Sequence, residues 1–455
     1  MKKFLSLALV LALCLSLFAA CGSKASESSS TVSESSSEES KSADESESSD
    51  ESESSEESSE SGAESTTDLS AMKVGFIFLH DENSTYDLNF MNAAKEACEA
   101  LGLTEDQYIF RTNIPEGQEC YNAALELVDA GCNVIFADSF GHEDYMIQAA
   151  KKYPDVQFCH STGTKAHTEG LANYHNAFAA IYEGRYLAGV AAGMKLNEMI
   201  EAGDFTAEEA MMGYVGAYTY AEVISGYTSF YLGAKSVCPS VTMEVTFTGS
   251  WYDETAEKEG ANKLITNGCK LISQHADSMG APTACETAGV PNVSYNGSTV
   301  SACPNTFIVS SRINWEPYFE YIAGCVANGA PIDTDWSGSI ASGSVELTEV
   351  NEKAAAAGTA EKIAEVKAAL EDGSLKVFDT AAFTVSGDNV KDTMKVDAEG
   401  HLTSYMADVD TDPAYTGDTE VVENGCFNES AKRSAPYFDV QIDGISLLDV
   451  NFGNS

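Results

Sequence analysis

Two pentapeptides, ADSFG at Ala137–Gly141 and ADSMG at Ala276–Gly280, each set a carboxylate beside a hydroxyl at the end of a hydrophobic run and before a helical stretch. A carboxylate accepts hydrogen bonds from N–H and O–H groups, and a hydroxyl can accept or donate. Similar groups end other apolar runs. HDENSTYDLNF supplies Asp81, Glu82 and Tyr86, SWYDE supplies Trp251 and Asp253, His275 precedes the second pentapeptide, and Tyr295-Asn296 closes a later run. Aromatic rings beside carboxylates, with scarcely a cation among them, suit a flat or ring-shaped neutral solute that donates hydrogen bonds. A nucleoside has that chemistry, and a sugar has nearly as much of it.

Each of these residues also has a plainer use. Asp or Ser ahead of a helix caps it, worth about 1 kcal/mol. For Ser139 and Ser278 capping is an equal reading, whereas for Asp138 and Asp277 a shared cleft is favoured, because capping needs only one residue of each pair. Trp251 reads equally well as core. Strand, A-D-S-F-G, helix also imitates a nucleophile elbow, but a hydrolase has one elbow, and here there are two with no Asp and His following in triad order. No enzymatic activity is expected. The seven His residues lack ligand spacing. DVDTDP at Asp408–Pro413 begins like a calcium loop, yet Pro413 stands where the turn needs Gly and Thr419 where the bidentate Glu belongs. Neither a metal nor a cofactor is expected.

The elements that position these groups occur twice. KVGFIFL, QYIFRTN, NVIFADS and VQFCHSTG read as strands separated by amphipathic helices, one with a stripe of Phe90, Ala94, Ala97 and Leu101, the next with Tyr121, Ala124, Leu125 and Val128. MGYVGAY, TMEVTFTG, CKLISQHADSMG and VPNVSYNG repeat the order. Apolar strands alternating with helices predict two doubly wound α/β lobes with parallel sheets covered on both faces. In such sheets ligands bind beyond the carboxyl ends of the strands, so facing lobes bring both pentapeptides to one cleft. NYHNAFAAIYEGRYLAGVAAGMKL, 173–196, is expected to be one long helix carrying the chain between lobes, with Glu183, Arg185 and Lys195 ruling out a membrane span. A return near FIVSSRINW, a late helix over Ile363–Gly373 and short strands and loops over Lys376–Ser455 complete the chain.

The N-terminus sets the location. Met1-Lys2-Lys3, an apolar run over Phe4–Ala20 and then Cys21 have the layout of a secretory signal, residues 1–20, too short for a membrane span. LFAAC resembles a lipobox with Phe18 in place of the usual Leu, so lipidation at Cys21 is expected, with a plain signal peptide as the alternative. Residues 21–71 read as a disordered tether, with fifteen acids against Lys24 and Lys41 between Ser23 and Asp68. The net charge is −46, of which the body keeps about −35, and this disfavours nucleic acid and anionic solutes. Ten Cys remain besides Cys14 and Cys21, without a CxxC pair or His-Cys spacing, and most read as core.

VGFIFLHDENSTYDLNF, NYHNAFAAIYEGRYLAGVAAG, GYVGAYTYAEVISGYTSFYLGA, GSWYDETAEKEGANKLI, SQHADS and SSRINWEPYF together resemble the basic membrane protein family of substrate-binding lipoproteins of ATP-binding-cassette importers, which includes purine nucleoside receptors. The likeness runs from Lys73 to about Phe319, with a fainter match in WSGSIASGSVEL and DGSLKVFD. It implies a type 1 periplasmic-binding fold with three inter-lobe crossings, a nucleoside or purine ligand, and a membrane permease as partner. The implied layout is lobe 1 over 72–190 with a return segment at about 309–345, lobe 2 over 191–308, and a C-terminal extension over 346–455. Carried over by motif, the first-loop aromatic is Tyr86, the second-lobe acid in YAEV is Glu222, the stacking tryptophan is Trp251, and the QHTDS-like motif supplies His275 and Asp277. An acid usual after the last strand of the second lobe is here Asn296, which weakens a nucleoside relative to a free base or another cyclic solute. A sugar-binding or sensory receptor of the same fold is the alternative.

Overall fold

The computed structural model describes residues 69–409 and 419–449, all within one compact unit. The signal, Cys21, the tether up to residue 68 and residues 410–413 of the acid-rich loop lie outside the described residues.

β1 (Val74–Ile77) is buried at all four positions, as a central parallel strand covered on both faces must be. It lies between β2 (Tyr108–Arg111) and β3 (Val134–Ala137), and β4 (Gln157–Ser161) and β5 (Tyr174–Ala179) follow, giving the parallel order β2-β1-β3-β4-β5. The second sheet repeats this order as β7-β6-β8-β9-β10, with β6 (Met211–Gly216), β7 (Thr242–Phe247), β8 (Leu271–Gln274), β9 (Asn292–Tyr295) and β10 (Phe307–Ile313). β11 (Asp335–Gly338) then joins the first sheet beside β5, and β12 (Val345–Leu347) joins the second, antiparallel to β10. The chain therefore crosses between sheets three times: after β5, after β10 and after β11. Two doubly wound lobes of one strand order, linked by three crossings, form a type 1 periplasmic-binding fold.

Helices α1 (Thr85–Ala100), α2 (Gln118–Asp129), α3 (Glu143–Lys152) and the short α4 (Ala166–Glu169) connect the strands of the first lobe. α1 buries Phe90, Ala94 and Ala97 as the periodicity predicts. α2 differs: it buries Cys120, Ala123, Ala124 and Leu127, leaving Tyr121, Leu125 and Val128 half-buried. The reason lies in β1, where a side chain on Gly75 would come within 2.7 Å of Leu127, so the missing Cβ lets Leu127 rather than Tyr121 face the sheet. The Lys152 ammonium instead lies 5.8 Å from the Tyr121 ring at the surface.

The stretch expected to be one long crossing helix is two elements, β5 and α5 (Ile181–Ala202). Its Ala-rich and Gly-rich composition hides the break at Ala180, because β5 is buried on both faces and shows no alternation. α5 packs along α6 (Ala221–Val237), and small residues make the approach close. A Cβ on Gly189 would lie 2.0 Å from the Phe230 carbonyl oxygen, and one on Gly233 2.0 Å from that of Tyr186. Thus the RYLAGVAAG motif is a helix-contact surface. α7 (Glu254–Asn267) and α8 (Gly280–Ala288) cover the second sheet, α9 (Glu316–Asn328) packs on α1, and α10 (Thr359–Glu371) lies on α5. Among the described residues no helix is long and apolar enough to cross a membrane.

Beyond α10 the chain forms a small aromatic core, with Phe378 stacked on Phe438 at 4.2 Å and Phe427 edge-on to Phe438 at 4.8 Å. Short antiparallel pairings at Met394–Val396, Leu402–Ala407 and Thr419–Glu420 frame it. A last strand, Ile445–Leu447, runs parallel to β7 and extends the second sheet. Nine of the ten described cysteines are buried, and burial pushes thiols such as Cys98 up to about 12, which leaves them protonated core residues.

Candidate functional site

The carboxyl ends of both sheets face one another across a cavity. Asp138 and Asp277, the acids of the two pentapeptides, both line it. Parallel register brings them there: Ile77 pairs with Ala137 and Val215 with Gln274, so the residues that follow emerge beyond the sheets beside their neighbours' ends. Asp138 N–H donates to the Ile77 carbonyl and His275 N–H to the Val215 carbonyl.

Asp138 is fully buried. Its Oδ1 accepts from the Leu79 N–H at 3.1 Å, while Oδ2 has no partner. Burial, with Asp87 nearby, raises its pKa well above the ordinary carboxylate range. Protonated, Asp138 shares a hydrogen bond with the Asp87 carboxylate; ionised, its Oδ2 lacks a donor, and a ligand N–H or O–H at that point would supply one. Asp277 is raised in the same way by burial and by Asp87, and its Oδ1 accepts from Asn296 at 3.2 Å. The Tyr86 hydroxyl is committed to the Asp138 carbonyl at 2.8 Å, so this residue offers its ring. Glu222, in the first turn of α6, lies 3.3 Å from His275 Nε2. Trp251 meets Tyr218 edge-on at 5.0 Å and also lines the cavity, combining the two uses weighed for it. Tyr295 completes the second-lobe wall, with its buried hydroxyl unpartnered.

Ser139 lines the cavity too, but its hydroxyl donates to Glu116 at 2.6 Å, and Glu116 also accepts the Gly141 N–H at 2.8 Å. Glu116 therefore does the capping, and the nearby His160 ring bonds the Ser139 carbonyl at 2.7 Å rather than its hydroxyl. Ser278 does act as a local cap, accepting the Gly280 N–H at 3.0 Å.

Four of the residues picked from the strand ends stand outside the lining. Asp81 turns outward to accept from Asn83 and Asn113, which lowers its pKa, and Glu82 is exposed. Asp253 is the N-cap of α7, accepting the Ala256 N–H at 2.9 Å. Asn296, at φ 65°, stands behind Asp277 and orients it. Leu79, His80, Asp87, Phe140 and Thr162 also line the cavity, beyond the residues expected from the strand ends. A signal for Asp87 was present: Ser84-x-x-Asp87 is an N-terminal capping pattern, and the Ser84 hydroxyl donates to Asp87 at 2.6 Å. The His80 backbone and ring add bonds at 2.8 and 3.3 Å.

The lobes touch around the cavity. Thr85 donates from its N–H and its hydroxyl to the Asp277 carbonyl at 2.9 and 3.1 Å, Phe140 stacks on Tyr220 at 5.0 Å, and His80 meets Tyr252 at 5.4 Å. The lobes are thus in contact around the cavity, a closed arrangement. Four carboxyl groups, Asp87, Asp138, Glu222 and Asp277, line it with no Lys or Arg, so it suits donors and rejects anions. Among the described residues no three His, Cys, Asp or Glu side chains are grouped to hold a metal ion.

The model of the Bmp family, described as ABC transporter substrate-binding protein PnrA-like, matches residues 74–376. A purine-binding protein from Brucella abortus is 33% identical over 261 residues, covering 57% of this chain and 69% of that protein. A putative ABC transporter glucose-binding protein from Haloferax volcanii is also 33% identical, over 45% of this chain and about half (49%) of its own length. An ABC transporter solute-binding protein structure from Aeropyrum pernix superposes with a TM-score of 0.56 at 16% identity, over 70% of this chain and 94% of that one. The chain belongs to the Bmp family of PnrA-like ABC transporter substrate-binding proteins.

Proposed function

We propose that the protein is an extracytoplasmic receptor that closes its lobes over one purine base or nucleoside and presents the closed form to an ABC permease, held at the membrane by a lipid on Cys21. The observation that carries this reading is the unpartnered Asp138 Oδ2, buried in a cavity that Asp277 lines from the other lobe. A purine brings N–H donors for the carboxylates and a flat face for Trp251, Tyr86 and Phe140. The name of the Brucella relative supports the same class of solute. The ligand must bind the closed state more tightly than the open one, or closure signals nothing. A sugar is the second reading, favoured by carboxylates that would accept from hydroxyls and by the name of the Haloferax relative. Native mass spectrometry of the purified protein, followed by calorimetry with adenine, adenosine, guanosine and glucose, separates the two. A retained purine and tight adenine or adenosine binding are expected. Tight binding of glucose alone would reverse the order of the readings.

A further inference from the structure

Arg185 is the largest charged side chain buried to within 2% of complete, and it is not part of the cavity lining. It rises from the first turns of α5 beneath the second-lobe wall. Its Nη1 donates to the Gln274 carbonyl at 3.0 Å, its Nη2 lies 3.1 Å from His275 Nδ1, and its guanidinium carbon sits 3.4 Å from the centre of the Tyr295 ring. A guanidinium has donors only. Its contact with Nδ1 therefore requires an unprotonated Nδ1, and the neutral ring must carry its hydrogen on Nε2. That atom is the one 3.3 Å from Glu222 Oε1. The Tyr214 hydroxyl lies 3.3 Å from the same Nδ1. A Cβ on Gly226 would come within 2.9 Å of Nδ1, so the glycine leaves room for the ring to sit there.

We propose that Arg185 is a positioning residue that holds His275 as the neutral Nε2–H tautomer, so that His275 donates to Glu222 and aims this carboxylate at the N–H or O–H donors of the bound solute. The proposal rests on the cavity being the solute site. It also explains why the wall carries a histidine without gaining a cation. The fixed charge lies behind the ring, the ring faces the cavity as a donor to the acid, and Glu222 is left an acceptor. Burial holds His275 below its ordinary pKa, and the Arg185 charge acts in the same direction against the opposing pull of Glu222.

Histidine-selective 15N labelling of the full chain, with His275→Asn to assign the signal, reads the tautomer in the ligand-free protein. The expected spectrum has His275 Nδ1 unprotonated and Nε2 protonated. Arg185→Lys, which keeps a donating cation, is expected to retain this pattern. Arg185→Met is expected to lose it, with a second tautomer or an imidazolium appearing, and to bind adenine or adenosine at least ten-fold more weakly, while Arg185→Lys recovers most of that loss. A protonated Nδ1 in the wild type, or a wild-type pattern in Arg185→Met, overturns the proposal. Should Arg185→Met fail to fold, the wild-type and Arg185→Lys spectra decide. Should neither purine bind even the wild type, the purine reading fails while the spectra still decide the role of Arg185.

Discussion

Asp138 illustrates how a single oxygen can define a site. Asp138→Asn keeps an acceptor for the Leu79 N–H but turns Oδ2 into a donor facing the solute's donors. Calorimetry is expected to show purine affinity falling about 30-fold or more, about 2 kcal/mol, the usual worth of a hydrogen bond to a charged group, with little loss of thermal stability. Trp251→Ala should weaken binding about ten-fold from lost stacking area. Because burial raises Asp138 above the ordinary carboxylate pKa, solute binding through the charged form should release a proton, and affinity should fall as the pH drops toward that ordinary range. Matched titrations in buffers of different ionisation enthalpy would detect the release. At this scale the sequence was legible where strand ends told which residues emerge beyond the sheet, as with Asp138 and His275. It was opaque for Asp81 and Asp253, because an acid in a loop after a strand can equally satisfy its own turn or cap the next helix.

Elements explain the rest of the legibility. The duplicated order of strands was readable because parallel strands are apolar throughout and their helices are amphipathic. β5 escaped notice because it is buried on both faces and runs through one intervening residue into an Ala-rich helix, leaving neither alternation nor a turn signal. The buried face of α2 departs from the periodic expectation because Leu127 packs over Gly75, a contact made by another element. The same kind of long-range contact makes α5 and α6 intolerant of larger residues. Gly189→Ala places a methyl 2.0 Å from a backbone carbonyl that cannot move alone, so the helices must separate. A loss of about 1–3 kcal/mol is expected in denaturant unfolding, with a shifted second-lobe wall as its consequence. An unchanged midpoint would show that the contact between these helices is looser than the geometry requires.

The whole molecule adds an extension that the sequence left unplaced, since its strands have two to six residues and its core is built from scattered aromatics. Glu429 ties this extension to the second lobe, accepting from the Phe438 N–H and the Ser225 hydroxyl at 2.9 Å each. Burial raises its pKa from 4.5 to about 7. A carboxyl whose folded pKa lies above its unfolded value binds more protons when folded, so its contribution favours folding below about 4.5 and is lost as the pH rises to about 7. His142 and His160, lowered to about 4 mainly by burial, act with the opposite sign between about 4 and 6.5, so the wild-type profile alone is ambiguous. The difference between Glu429→Gln and wild type is not: the variant should gain relative thermal stability between pH 4.5 and 7, by about 3 kcal/mol at most. A difference that stays flat with pH would show that Glu429 titrates normally.

The central claim is that two similar lobes grip one small donor-rich molecule between their strand ends. A crystal structure of the protein with the solute it retains on purification tests this most directly. One molecule is expected in the cleft, with a donor hydrogen-bonded to Asp138 Oδ2 and a ring beside Trp251. A solute bound elsewhere, or seated in the cleft with that oxygen still unengaged, would contradict it.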